Sequence, residues 1–287
     1  MSVARVIVVG AGTMGTAIAD TFARAGLATA LISRNPARLT GLHANIQALS
    51  AFPEAPPELI VEAIPEDIEL KSELLLGAEA AYAGEPILAS NSSGLPLQDI
   101  ADRLGFPDRF LGIHYFHPAR ELPLVEVVRV AETSENTLAD ARRLLSLSGR
   151  DSVVMQRPVP GALINRLQHA LLHEAYHLMS QGLASAEDID KAGRWLLGPR
   201  MCISGLLEQK DIGGLEGHAR AQRTIVPDLC HDARPNPLVQ DMLARGDIGL
   251  NSGRGFYDWR GQDAHAVAER ASTKLRILLA YLEENRS

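Results

Sequence analysis

His114 closes an apolar run, Phe110 to Ile113, and Glu126 interrupts another, Leu124 to Val128. A carboxylate inside a stretch that reads as buried needs a partner, and His114 is the nearest good one. Imidazole titrates near neutral pH, so a histidine suits removal of a hydroxyl proton while hydride leaves the carbon beneath it. A carboxylate behind the ring orients it and stabilises its protonated form. Hydride chemistry also requires an acceptor. Gly10-Ala11-Gly12-Thr13-Met14-Gly15 fits the G-x-G-x-x-G turn that holds a dinucleotide pyrophosphate. Gly10 permits the tight turn, Gly12 lets backbone approach the anion, and Gly15 lets helix pack on strand. The backbone N–H groups that open the helix, with Thr13 and Met14 among them, face the phosphates.

The elements around these residues alternate. Arg5 to Val9 reads as a buried parallel strand, Ala17 to Ala25 as a helix ending at Gly26, and Ala28 to Ser33 as a second strand. Asn35-Pro36 predicts a short helix to about Asn45. Pro53, Pro56 and Pro57 mark a loop before a strand at Glu58 to Ile64. A helix over Ile68 to Ala83, a strand at Pro86 to Ser90, a helix over Pro96 to Leu104 and a strand at Arg109 to His114 continue the pattern. This is α/β architecture, a Rossmann-type doubly wound sheet, followed by a mainly α-helical C-terminal domain. Helical spacing over Ala162 to Gln181, Ala186 to Leu197 and Pro237 to Arg245 places the boundary near residue 157. Residues 1–157 form the dinucleotide-binding domain, and 158–287 a substrate and dimerisation domain. His114 then lies at a strand end, where open α/β sheets place their ligands.

The second strand ends on Ser33-Arg34-Asn35, with Arg38 beyond, rather than on the carboxylate that binds a ribose 2′-hydroxyl. A hydroxyl and a guanidinium suit a 2′-phosphate, so the cofactor expected is NADP or NAD, with NADP favoured. The plainer reading makes Arg34 a solvated surface residue.

Composition sets outer limits. Twenty-eight basic against 35 acidic residues give a net charge of -7, which argues against a nucleic-acid or anionic-membrane partner. No run approaches a membrane span, and Val6-Ile7-Val8-Val9 is too short for a signal core and is broken by Gly10 and Gly12. The two cysteines, Cys202 and Cys230, match no metal-ligand or disulfide spacing, which points to a cytoplasmic home. His169, His173 and His177 share one helix face. The outer pair lie about 12 Å apart, too far to hold one ion, so no metal is expected. Apolar helix faces in the second half predict a homodimer.

Ser90 to Gly94, Gly112 to Pro118, Leu124 to Val128 and Gly161 to Arg166, in this order, resemble the 3-hydroxyacyl-CoA dehydrogenase family. The resemblance runs from the glycine turn to Gly253-Arg254-Gly255-Phe256-Tyr257. It implies that His114 and Glu126 form a catalytic dyad and that Ser93 and Asn165 bind the substrate oxygen. Both carry donors that suit an oxygen gaining charge. It also implies that Glu66, Lys71 and Asn91 line the cofactor. The alternative for Glu66 and Lys71 is an ordinary charged helix start. His117 replaces the family's usual Asn before Pro118 and is a candidate for the substrate pocket.

The departures are informative. Fatty-acyl members carry a long helical hairpin, which helps hold CoA, where this chain has only residues 34–57. Asn165 to Ala175 resembles the carnitine and gulonate dehydrogenase branch, which oxidises small hydroxy acids. Asn251-Ser252-Gly253 lacks the Lys that members often place beside the cofactor. The expectation is an NAD(P)-dependent dehydrogenase of a small 3-hydroxy acid. The alternatives are a short-chain 3-hydroxyacyl-CoA dehydrogenase, an NADPH-dependent imine reductase and a non-catalytic, crystallin-like cofactor binder.

Overall fold

The computed structural model describes residues 5–285. The chain divides into two units, one running to Arg166 and the other starting at Leu167. In the first, β1 (Val6–Val9) enters the glycine turn and α1 (Thr13–Arg24) leaves it. β2 (Thr29–Ile32), β3 (Ile46–Leu49), β4 (Leu59–Glu62) and α2 (Ile68–Tyr82) follow. Next come β5 (Ile87–Ser90), α3 (Leu97–Ala101) and β6 (Phe110–His114). β7 (Leu124–Arg129), α4 (Glu135–Leu147) and β8 (Asp151–Met155) complete the sheet. The helix α5 (Ile164–Ser180) begins just before the division.

The strand order is β3-β2-β1-β4-β5-β6-β7-β8. Pairing is parallel except between β6 and β7. Alternate residues of each strand feed two cores, as the period of two requires. Val6 and Val8 pack with Ile18, Phe22 and Leu144 on one face. Ile7 and Val9 pack with Leu75, Ile100 and Phe110 on the other. Each of the largest of these side chains contributes roughly 1.5–3 kcal/mol by leaving water.

The helix expected from Asn35-Pro36 to Asn45 is absent. A single 3-10 turn, Pro36–Arg38, stands there, because Leu39 takes up extended backbone and ends it. The chain then reaches Ile46, which pairs with Thr29 as the sheet's edge strand. No helical hairpin separates β2 from β4. The helix α4 and strand β8 add to the expected elements.

The second unit carries the rest of α5, then α6 (Ala186–Ala192), α7 (Gly198–Ser204), α8 (Glu208–Gly213) and α9 (Leu215–Ile225). A π-helical turn, Gly193–Leu197, joins α6 to α7. α10 (Pro237–Ala244) and α11 (Ala264–Glu284) complete it. Among the described residues no helix is long and apolar enough to cross a membrane.

One buried ion pair ties β4 to α2. Lys71 is 1% exposed, and its Nζ stands 2.8 Å from both carboxylate oxygens of Glu62, which is fully buried. Ser90 at the end of β5 donates to the same carboxylate. Removing one partner of such a pair leaves an uncompensated charge in the core. Lys71→Met is therefore expected to destabilise the protein by about 3–5 kcal/mol. Glu62→Gln combined with Lys71→Met should recover part of that loss. Urea melts of both variants check it, and a Lys71→Met midpoint equal to the parent's would show that the pair does not hold the fold.

Candidate active site

The antiparallel step from β6 to β7 sets His114 directly opposite Glu126. Cross-strand neighbours on one face meet side chain to side chain. His114 Nδ1 lies 2.9 Å from Glu126 Oε2. Glu126 is fully buried and His114 nearly so. The other carboxylate oxygen accepts from the backbone N–H groups of Leu163 and Ile164, at 2.8 and 2.7 Å. Burial works to raise the Glu126 pKa. The hydrogen bond from His114 and those from the two amides outweigh it, and the carboxyl is held below its ordinary value. An ionised carboxylate only accepts, so the proton on Nδ1 points at Glu126, and in a neutral ring that leaves the lone pair on Nε2. Asn165 follows Ile164 in the first turn of α5, so the residue that orients His114 also anchors the segment bearing Asn165.

Ser93 sits in the turn between β5 and α3. The turn is held from below by Glu66, whose Oε1 accepts from the N–H groups of Ser93 and Gly94 at 3.1 Å and also from the Ser92 hydroxyl. Burial again opposes ionisation. The Ser92 hydrogen bond and the Lys71 charge keep the Glu66 carboxyl below its usual range. Lys71 Nζ is 3.3 Å from Glu66 Oε2. Asn91 accepts from the Tyr115 N–H at 2.8 Å, locking the end of β5 to the residue after His114. Within the first unit, Glu66, Lys71 and Asn91 thus act on the shape of the turn.

Ser93 and His114 line one cavity of about 480 Å³, with Leu97, Val128, Arg157 and Gly161 among its other walls. His117 is exposed and is not among the lining residues. Arg157 went unnoticed in the sequence. It precedes Pro158 in a stretch that read as a domain boundary, and its unpaired charge before two prolines was the available signal.

The glycine turn has the shape a dinucleotide requires. Gly10 has φ +106°, and a Cβ there would meet the Ala63 carbonyl oxygen at 2.6 Å. A Cβ on Gly15 would lie 1.8 Å from the Gly10 carbonyl oxygen, so α1 could not pack there. Beside Gly12 the space is open, and no side chain caps the helix end. Backbone N–H groups and room for an anion coincide at that point. The Ser33 hydroxyl accepts from the Asn35 N–H at 3.2 Å. Arg34 and Arg38 are exposed, with no ion-pair partner among the described residues. In the second unit, His173 Nε2 lies 3.3 Å from Cys230 Sγ.

The NAD binding domain of 3-hydroxyacyl-CoA dehydrogenases matches residues 5–54 and 49–158, and the C-terminal domain of the same enzymes matches 161–259. The 5-formyl-3-hydroxy-2-methylpyridine 4-carboxylate 5-dehydrogenase of Mesorhizobium japonicum is 27% identical across 97% of this chain and 98% of its own. A probable 3-hydroxybutyryl-CoA dehydrogenase of Bacillus subtilis is 30% identical across 90% of this chain and 98% of its own. The crystal structure of a 5-formyl-3-hydroxy-2-methylpyridine 4-carboxylic acid 5-dehydrogenase, described as an NAD+ dependent dismutase, superposes with a TM-score of 0.90. It covers 100% of both chains at 24% identity, so the fold is shared. With both domain matches in sequence and the fold in place, the chain belongs to the 3-hydroxyacyl-CoA dehydrogenase family and is a nicotinamide-dependent dehydrogenase.

Proposed function

We propose that the protein interconverts a secondary 3-hydroxyl and its ketone on a small hydroxy acid. The observation that carries this reading is the 2.9 Å His114–Glu126 pair on the wall of a cavity shared with Ser93. His114 Nε2 takes the hydroxyl proton, and the Glu126 carboxylate, already committed to Nδ1, stabilises the imidazolium that results. Ser93 and Asn165 donate to the substrate oxygen as its charge changes. The bound dinucleotide supplies the hydride acceptor, held by the turn Gly10 to Gly15. In the reverse direction His114 returns the proton to the forming alcohol.

Two observations support a small substrate. The connection from β2 to β3 is one 3-10 turn, with none of the helical hairpin that holds CoA in fatty-acyl members. The Mesorhizobium relative is named for a pyridine carboxylate. Residues around the adenosine end favour NADP, since Ser33 and Arg34 stand where a 2′-phosphate would bring its charge and no carboxylate repels it. The domain division near residue 157 and a cytoplasmic location belong to the same reading. So does a homodimer built on the second unit, where Trp195, Ile203, Leu207 and Ile212 are each more than 70% exposed.

His114→Gln should lower kcat by at least about 1,000-fold while leaving dinucleotide Kd within about threefold. A kcat near the parent's would refute the base assignment. With NADP the parent's kcat/KM should exceed that with NAD. Arg34→Ala should reverse the order by lowering the NADP value about tenfold, the loss of one charge-assisted bond. Equal or better kcat/KM with NAD in the parent would sink the preference. Light scattering at micromolar concentration should give twice the 31.0 kDa chain mass, and a monomeric mass would contradict the dimer.

A further inference from the structure

The cavity beside His114 has a simple charge inventory. Among the described residues its titratable walls are His114 and Arg157, and no carboxylate lines it. Most of the remaining polar groups on its walls are already used. Gln98 donates to Asp102 and Glu132 and accepts from the Ala131 N–H. The Ser92 hydroxyl donates to Glu66 and accepts from the Leu95 N–H. The nearby acids are spoken for as well. Both oxygens of Glu126 and both of Glu66 have partners inside the protein. Among the described residues, Arg157 has no ion-pair partner. Leu95, Leu97, Val128 and Val159 give the rest of the cavity an apolar lining.

Arg157 is exposed at the rim of this cavity, and the backbone that follows it is constrained relative to the dyad. Pro158 and Pro160 restrict the backbone after it. Gly161 turns the chain at φ +79°, and the Ala162 N–H donates to the Val159 carbonyl at 3.0 Å. The next two amides bind Glu126, so the stretch that carries Arg157 is moored to the same carboxylate that orients His114. A planar guanidinium donates two parallel hydrogen bonds to a carboxylate, a charge-assisted and geometrically specific pairing.

We propose that Arg157 binds the substrate's carboxylate, so that the substrate class is free hydroxy acids and their oxo counterparts rather than thioesters. This deepens the assignment of His114 as base and rests on it. A thioester or ester presents a neutral carbonyl where the acid presents a charge, and it would leave the guanidinium at the cavity wall without an anion. A site built for one polar group discriminates strongly against an analogue that lacks it.

The test has two arms. In the first, calorimetry on the cofactor-loaded enzyme measures Kd for butyrate, an unreactive short carboxylate. Arg157→Gln should weaken it about 10- to 100-fold, the loss of a charge-assisted pair. Arg157→Lys should weaken it less. Dinucleotide Kd should stay the same in both. In the second arm, short 3-hydroxy acids, their methyl esters and their CoA thioesters are compared by kcat/KM. The parent should prefer the acid, and Arg157→Gln should cut the acid-to-ester ratio about 10- to 100-fold, mainly through the KM for the acid. Equal butyrate affinity in parent and Arg157→Gln, or an unchanged acid-to-ester ratio, would overturn the role of Arg157. A parent that turns over only CoA thioesters and loses butyrate binding on Arg157→Gln would overturn the small-acid reading while leaving an anion site at Arg157. A His114→Gln enzyme with normal turnover would overturn the base and leave the butyrate result standing.

Discussion

The site depends on how one buried carboxylate divides its two oxygens. Glu126 gives Oε2 to His114 and Oε1 to the first amides of α5. A carboxylate removed from water must satisfy its lone pairs inside the protein, and here both sets of donors lie at the candidate site. The negative charge also sits at the N-terminus of a helix running from Ile164 to Ser180, where the helix dipole favours an anion. Each contact makes the other easier to keep. The ionised form that accepts from the amides is the form that fixes the imidazole tautomer.

A second carboxylate plays a similar part on the other side of the cavity. Glu66 gathers Ser92, Ser93 and Gly94 around one oxygen and leaves the other to Lys71. Lys71 in turn is spent on Glu62 in the core. The turn that presents Ser93 therefore inherits its shape from a chain of charges reaching down to β4. Lys71 is a core cation and Glu66 a brace for the turn.

What the sequence disclosed followed from local rules. Gly10 to Gly15 lies between a β-branched run and a small-residue helix, and that order is enough to define the turn. Glu126 was readable because a charge in an apolar run demands a partner. The features that escaped were non-local or over-signalled. Nothing near Lys71 shows that it will be buried, because its partner Glu62 belongs to a strand that otherwise reads as uninterrupted core. The Asn35-Pro36 pair carries the start signals of a helix, yet those signals fix only one turn, and the pairing of Ile46 with Thr29 claims the chain soon after. Arg157 hid in a segment whose prolines announced a boundary. The same prolines restrict the backbone that follows it.

The reversal between β6 and β7 carries a consequence of its own. Because the two strands pair antiparallel, His114 and Glu126 are matched by sheet register and not by the length of the segment joining them. Exposed positions between them, such as His117 and Arg120, can be exchanged while the hydrogen-bond ladder keeps the two side chains aligned. Substitutions at those positions leave the pairing of His114 with Glu126 intact. A fold of this kind separates what it acts on from how it acts, and a lineage can acquire new substrates while its reaction stays the same.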